Sequence, residues 1–123
     1  MEKDPFTDKI IGCALEVHSK LGPGLLESSY QQCLAHELNL NKVTFNCEYE
    51  LPVHYKGINL DCGYRVDLLI ENQLILELKA VEEISDIHKA QLLTYMKLAD
   101  VATGLLINFN VKRLKEGLHR FKL

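Results

Sequence analysis

The sequence predicts an α/β fold: a mixed sheet of about four strands, a meander of three plus one, flanked by helices in the order α-α-β-β-β-α-β. Three observations predict it. Two stretches of helical period open the chain, a period-two alternation fills its middle, and a third helical stretch separates that middle from a last apolar run. At 123 residues the chain reads as one domain, 1–123. Folding at this size buries about two-thirds of the exposable surface.

Asp4-Pro5 and Thr7 offer helix-start chemistry, and Ile10, Ile11, Ala14, Leu15, His18 and Leu21 recur at helical spacing behind them. His18 lies on that apolar stripe and reads as a satisfied core histidine. Gly22-Pro23-Gly24 stops the helix. A second helix is expected from about Leu25 to Asn39, with Leu26, Tyr30, Cys33, Leu34 and Leu38 on one stripe. Val43 to Tyr55 then alternates apolar and polar at every step, which predicts a long strand with one buried face. Pro52 cannot donate to a ladder, so a bulge or an edge is expected there. Gly57 turns the chain into a strand over Ile58 to Ile70, bent at Gly63, and Glu71-Asn72-Gln73 turns it into Leu74 to Ala80. Ser85 and Asp86 cap a third helix to about Ala99, with Ile87, Gln91, Thr94, Tyr95 and Leu98 along one side. Thr103 to Phe109 is the last apolar strand.

The totals exclude several classes. No stretch approaches the roughly 20 apolar residues of a membrane span, and the opening Met-Glu-Lys-Asp-Pro lacks the layout of a secretion signal. Cys13, Cys33, Cys47 and Cys62 are widely spaced with no Cys-x-x-Cys pair, which points to thiols in a reducing cytoplasm. The net charge is -3, but Val111 to Leu123 carries five cations against one anion, which leaves -7 on the rest. Such asymmetry suits a basic strip beside an acidic site, and a solvated tail equally well; charge alone favours the tail.

Chemistry concentrates in Leu74-Ile75-Leu76-Glu77-Leu78-Lys79. Alternation sends Glu77 and Lys79 to one face of a strand otherwise apolar enough to be central. Asp67 lies within the apolar run before it, and pairing about the intervening turn sets it across from Glu77. Two like charges about 4 Å apart repel by roughly 4 kcal/mol at an effective dielectric of about 20, and Lys79 offsets only one of them. Carboxylates without His or Cys beside them favour a hard ion, Mg2+ or Mn2+, and phosphodiester hydrolysis. An isolated Glu-x-Lys is far more often a surface strand in a salt bridge, so further features must decide.

One is the segment Leu21-Gly22-Pro23-Gly24-Leu25-Leu26-Glu27-Ser28-Ser29-Tyr30, which resembles the signature of the GxxExxY proteins, a branch of the PD-(D/E)XK nuclease superfamily. The likeness continues through Tyr64-Arg65-Val66-Asp67, Glu77-Leu78-Lys79-Ala80, His88 to Tyr95 and Gly104 to Phe109. It implies a restriction-endonuclease-like core. The other is Gln91-x-x-x-Tyr95, whose spacing puts both on one helix face and which resembles the QxxxY motif of RecB-like nucleases. By these resemblances Asp67 and Glu77 are metal ligands, the Leu78 carbonyl is a third, and Glu27 binds metal directly or through water. Lys79 is then the catalytic lysine, and Gln91 and Tyr95 position the lysine, a water or the phosphate. Glu27 brings the local charge to -2, which one divalent ion neutralises. Tyr30 reads as packing, and His88 as a residue that faces the site and touches phosphate. Val66 stands where the superfamily's name has Pro.

The expected function is therefore a metal-dependent nuclease acting on nucleic acid, DNA by preference. The alternative is a non-catalytic nucleic-acid or protein-interaction module that keeps the fold. A chain this small leaves little surface to grip a substrate, so a homodimer or a larger complex is expected, without membrane association.

Overall fold

The computed structural model describes residues 4–123; the start on which the missing secretion signal is read lies partly outside them. Helix α1 (Pro5–Leu21) begins at the expected place because the Asp4 side chain accepts from the N–H groups of Phe6 and Thr7, while the Thr7 hydroxyl donates to it at 2.6 Å. The buried face of α1 is turned from the expected stripe: Cys13 and Val17 join Ile10, Ala14 and His18, whereas Leu15 and Leu21 stay exposed. His18 is the core histidine expected, its Nε2 lying 2.8 Å from the Val111 carbonyl oxygen. Helix α2 (Glu27–Leu40) starts two residues later than expected and buries Tyr30, Leu34 and Leu38, while Leu26 and Cys33 remain outside.

The middle of the chain corrects the sequence reading most. The single strand expected from Val43 to Tyr55 is two, β1 (Phe45–Glu50) and β2 (Val53–Tyr55), parted at Leu51-Pro52. The strand expected from Ile58 to Ile70 is likewise two, β3 (Ile58–Leu60) and β4 (Arg65–Ile70). Gly63, at φ +73°, belongs to the break between them rather than to a bend. β2 and β3 form a separate two-stranded antiparallel hairpin. Alternation thus describes strand conformation correctly but not burial, because Cys47 and Tyr49 of β1 face solvent at the sheet edge.

β5 (Leu74–Lys79) pairs antiparallel with β4 across the three-residue loop Glu71-Asn72-Gln73, in which Glu71 and Asn72 take positive φ and the Gln73 N–H donates to the Ile70 carbonyl at 2.9 Å. Helix α3 (Asp86–Ala99), capped by Ser85, crosses over to β6 (Thr103–Asn108), which runs parallel to β5. The solvated tail is overturned. Leu114–Gly117 form a 3-10 turn, and β7 (Leu118–Lys122) pairs antiparallel with β6. Leu114 is buried and Arg120 lies 3.6 Å from Asp4, so an apolar residue of the tail and one of its cations are built into the fold. The sheet therefore has five strands, β1-β4-β5-β6-β7, rather than about four. Leu68, Leu76, Leu78 and Ile107 face α1 and α2 on one side, while Leu69, Ile75 and Leu106 face α3 on the other.

Candidate active site

The carboxylates lie where the ladders of the central strands fail. Pairing of β4 with β5 runs from Ile70↔Leu74 to Leu68↔Leu76, and its continuation places Asp67 opposite Glu77, as expected. The ladder stops there, however. The Asp67 Oδ2 takes the place of a backbone acceptor and receives the Leu78 N–H at 2.8 Å. The β1 side is interrupted at the same level: Cys47 pairs Leu68 and Tyr49 pairs Val66, but Glu48 is skipped and sits at φ +53°. Val66 and Leu69 both pack toward α3, although an undistorted strand would send them to opposite faces. Asp67 is therefore held in a local irregularity of the sheet.

Around it, Glu77 is 5% exposed and its Oε1 has no hydrogen-bond partner. Burial first, then the Asp67 carboxylate beside it, pushes the Glu77 carboxyl up to about 9, with Lys79 pulling the other way. Lys79 projects two residues on, half-buried, and closes no ion pair among the described residues. Glu27, the first residue of α2, joins from the other layer of the fold. Burial raises its carboxyl above the ordinary range, Asp67 and Glu48 add to this, and Lys79 opposes it, so Glu27 stands within the field of the same cluster. Among the described residues, no three His, Cys, Asp or Glu side chains already close on one point at ligand distance.

Local packing explains why Glu27 starts a helix here. Tyr30, one turn on, is fully buried and stacked on Phe109 at 4.5 Å. Its hydroxyl donates to the Gly22 carbonyl at 2.6 Å and accepts the Leu25 N–H at 3.2 Å, which ties the loop before α2 to the core. Tyr30 is packing, as expected, and it sets where Glu27 emerges.

The α3 residues divide. Tyr95 is 8% exposed, and burial, with the charges of Glu77 and Asp67 behind it, raises its phenol above the ordinary value. Gln91 is exposed one turn earlier. The face α3 buries is Leu92, Tyr95 and Met96, not the row through Ile87, Gln91 and Thr94 expected to pack. His88 is also corrected: its Nδ1 accepts the Ser85 N–H at 3.1 Å in a reciprocal cap at the helix start, so the ring is a structural cap.

Sequence reasoning missed Glu48, assigning it to the solvent face of a regular strand. Its Oε1 receives the Gln31 amide of α2 at 2.8 Å, one turn beyond Glu27. A left-handed glutamate inside an alternating strand leaves no sequence signal. Asn108 was missed too. Paired with Lys79 in the parallel ladder, it is 2% exposed, donates to the Val81 carbonyl at 2.9 Å and accepts the Val81 N–H at 3.1 Å, which fixes the chain just beyond Lys79. The signal was the polar end of an apolar strand.

A family profile described as the PD-(D/E)XK nuclease superfamily matches residues 4–121. Searches of curated proteins and of solved structures return no match. Matched over nearly its full length, with a mixed sheet that carries the Asp67, Glu77 and Lys79 side chains at the break in its central ladders, the chain belongs to the PD-(D/E)XK nuclease superfamily.

Proposed function

We propose that the protein is a metal-dependent nuclease of the GxxExxY branch, hydrolysing phosphodiester bonds in DNA. The observation that carries this reading is the buried Oε1 of Glu77 beside Asp67, without a hydrogen-bond partner among the described residues, with a Lys79 on the same strand that closes no ion pair among them. A buried carboxylate oxygen without a partner is costly, and it is an open lone pair for a cation. Nucleases of this superfamily generally depend on a divalent metal, and the all-oxygen donor set fits Mg2+ or Mn2+. Asp67 Oδ1, Glu77 and the Leu78 carbonyl would hold the ion, with Glu27 binding directly or through water. Bound there, it supplies positive charge to a phosphate oxygen and acidifies a water.

The chain's own groups account for the rest. Hydrolysis forms a bond from water oxygen to phosphorus and breaks the bond to the leaving oxygen, which ends protonated. The Lys79 ammonium, which closes no ion pair among the described residues, stabilises negative charge developing on the phosphoryl oxygens. The Tyr95 phenol, with its raised pKa, keeps its proton at neutral pH and donates a hydrogen bond. Gln91 adds an amide at the rim. Glu27, less acidic than an exposed glutamate, suits it to take up a proton from water.

Incubation with linear, circular, single-stranded and branched DNA plus manganese tests the reading. Cleavage by the wild type and loss of about 100-fold or more in Lys79→Ala are expected. Absence of cleavage on every form, or equal cleavage by the variant, would leave the fold as a non-catalytic interaction module.

A further inference from the structure

An open groove of about 410 Å³ runs along the exposed side of α3. Ile87, Gln91, Thr94 and Leu98, spaced by three or four residues, form the α3 wall together with Tyr95, and Tyr64, at the entry to β4, and Val53 of β2 lie across from it. Among the described residues, none of the lining side chains is charged. The groove lies on the sheet face that carries Glu77: Tyr95, which lines it, packs in one cluster with Val66, next to Asp67, and with Ile75, two residues before Glu77 on β5. The Tyr64 ring is tilted 55° to the Tyr95 ring at 6.3 Å, and 46% of Tyr64 is exposed. Ile87, at 73% exposed, forms an apolar lip.

A cavity with apolar walls, an aromatic face and a few hydroxyl and amide groups is built for a flat ring with a polar edge. Lacking cations, it offers nothing to a phosphate. We infer that this groove receives an unpaired nucleobase of the strand whose phosphodiester lies at Asp67 and Glu77, stacked on Tyr64 and met at its edge by Gln91 and Thr94. The inference rests on the nuclease reading and narrows it to a substrate class. In a blunt duplex each base face is covered by its stacked neighbours and each edge by its partner, so only single strands, flaps or frayed ends can fill the groove.

The test uses the whole protein with calcium, a hard cation that satisfies carboxylates, and compares by fluorescence anisotropy a labelled single strand, the same strand with abasic sites, and a blunt duplex. Base stacking of ordinary strength predicts that the base-bearing strand binds about ten-fold or more tightly than the abasic one. The duplex should bind no better than the abasic strand. Tyr64→Ala should erase the advantage, and Tyr64→Trp should keep it; circular dichroism checks that both fold. Equal affinity for base-bearing and abasic strands, or an advantage intact in Tyr64→Ala, overturns the proposal. Sedimentation showing a dimer that Ile87→Glu dissociates also overturns it, since a second copy would then cover the groove. Parallel manganese cleavage separates the two readings. Cleavage without base discrimination removes the groove alone, and base-dependent binding without cleavage removes the nuclease alone.

Discussion

Replacing Glu77 with glutamine should stabilise the metal-free protein, and the gain should depend on pH in a way the site dictates. The Glu77 carboxyl ionises near its ordinary 4.5 in the unfolded chain and at about 9 in the fold, through burial and the adjacent Asp67. Because the folded value is raised, stability from the bound proton is fully present below pH 4.5 and is lost as pH rises toward 9. Each pH unit above 4.5 costs about 1.4 kcal/mol, so at pH 7 the burden is about 3 kcal/mol. Glutamine keeps the shape and binds no proton, so Glu77→Gln should match wild type near pH 4 and exceed it by up to about 3 kcal/mol at pH 7. For a domain of this size that is a rise in Tm on the order of 10 °C. Thermal or urea unfolding in a chelating buffer at several pH values measures it. Asp67, Glu27, Lys79 and Tyr95 remain in both proteins, and because Asp67 and Glu77 ionise as a pair, the difference reads the proton that the pair holds. Parallel stability curves across pH 4 to 8, or a variant less stable at pH 7, would refute the reasoning.

Other outcomes follow from the same structure. Calorimetric titration with manganese should show binding in wild type that strengthens from pH 5 to 8, as protons leave the cluster, and little in Asp67→Ala; equal binding would remove the ligand. Tyr30→Phe removes both hydroxyl contacts to the loop before α2 and should cost about 1–3 kcal/mol in urea unfolding, with Gly22 and Leu25 amides exchanging faster. Gly117→Ala sets a Cβ against the Asn108 carbonyl oxygen and should destabilise by about 1–3 kcal/mol, with β7 amides losing protection first.

Much of this was legible in the residues, and where legibility ended has a physical cause. Ser85 and Asp4 announce helix starts because capping is local: the side chain and the amides it satisfies lie within one turn. The Asp67–Glu77 juxtaposition was readable because the short Glu71–Gln73 turn leaves only one register in which the apolar faces match. Glu48 was not readable, since its left-handed backbone is imposed by the sheet around it. Alternation likewise could not say that β1 would be an edge with Cys47 and Tyr49 in water.

The sequence by itself determined the element types, the crossover order and the strand pair that carries the carboxylates, because period, caps and turn chemistry act over a few residues. Tertiary structure alone decided that the basic tail becomes a fifth strand, that Glu48 turns left-handed beside Asp67, and that the row of α3 through Gln91 and Thr94 lines a groove. Those outcomes depend on which surfaces meet, and that is settled by packing between segments far apart in the chain.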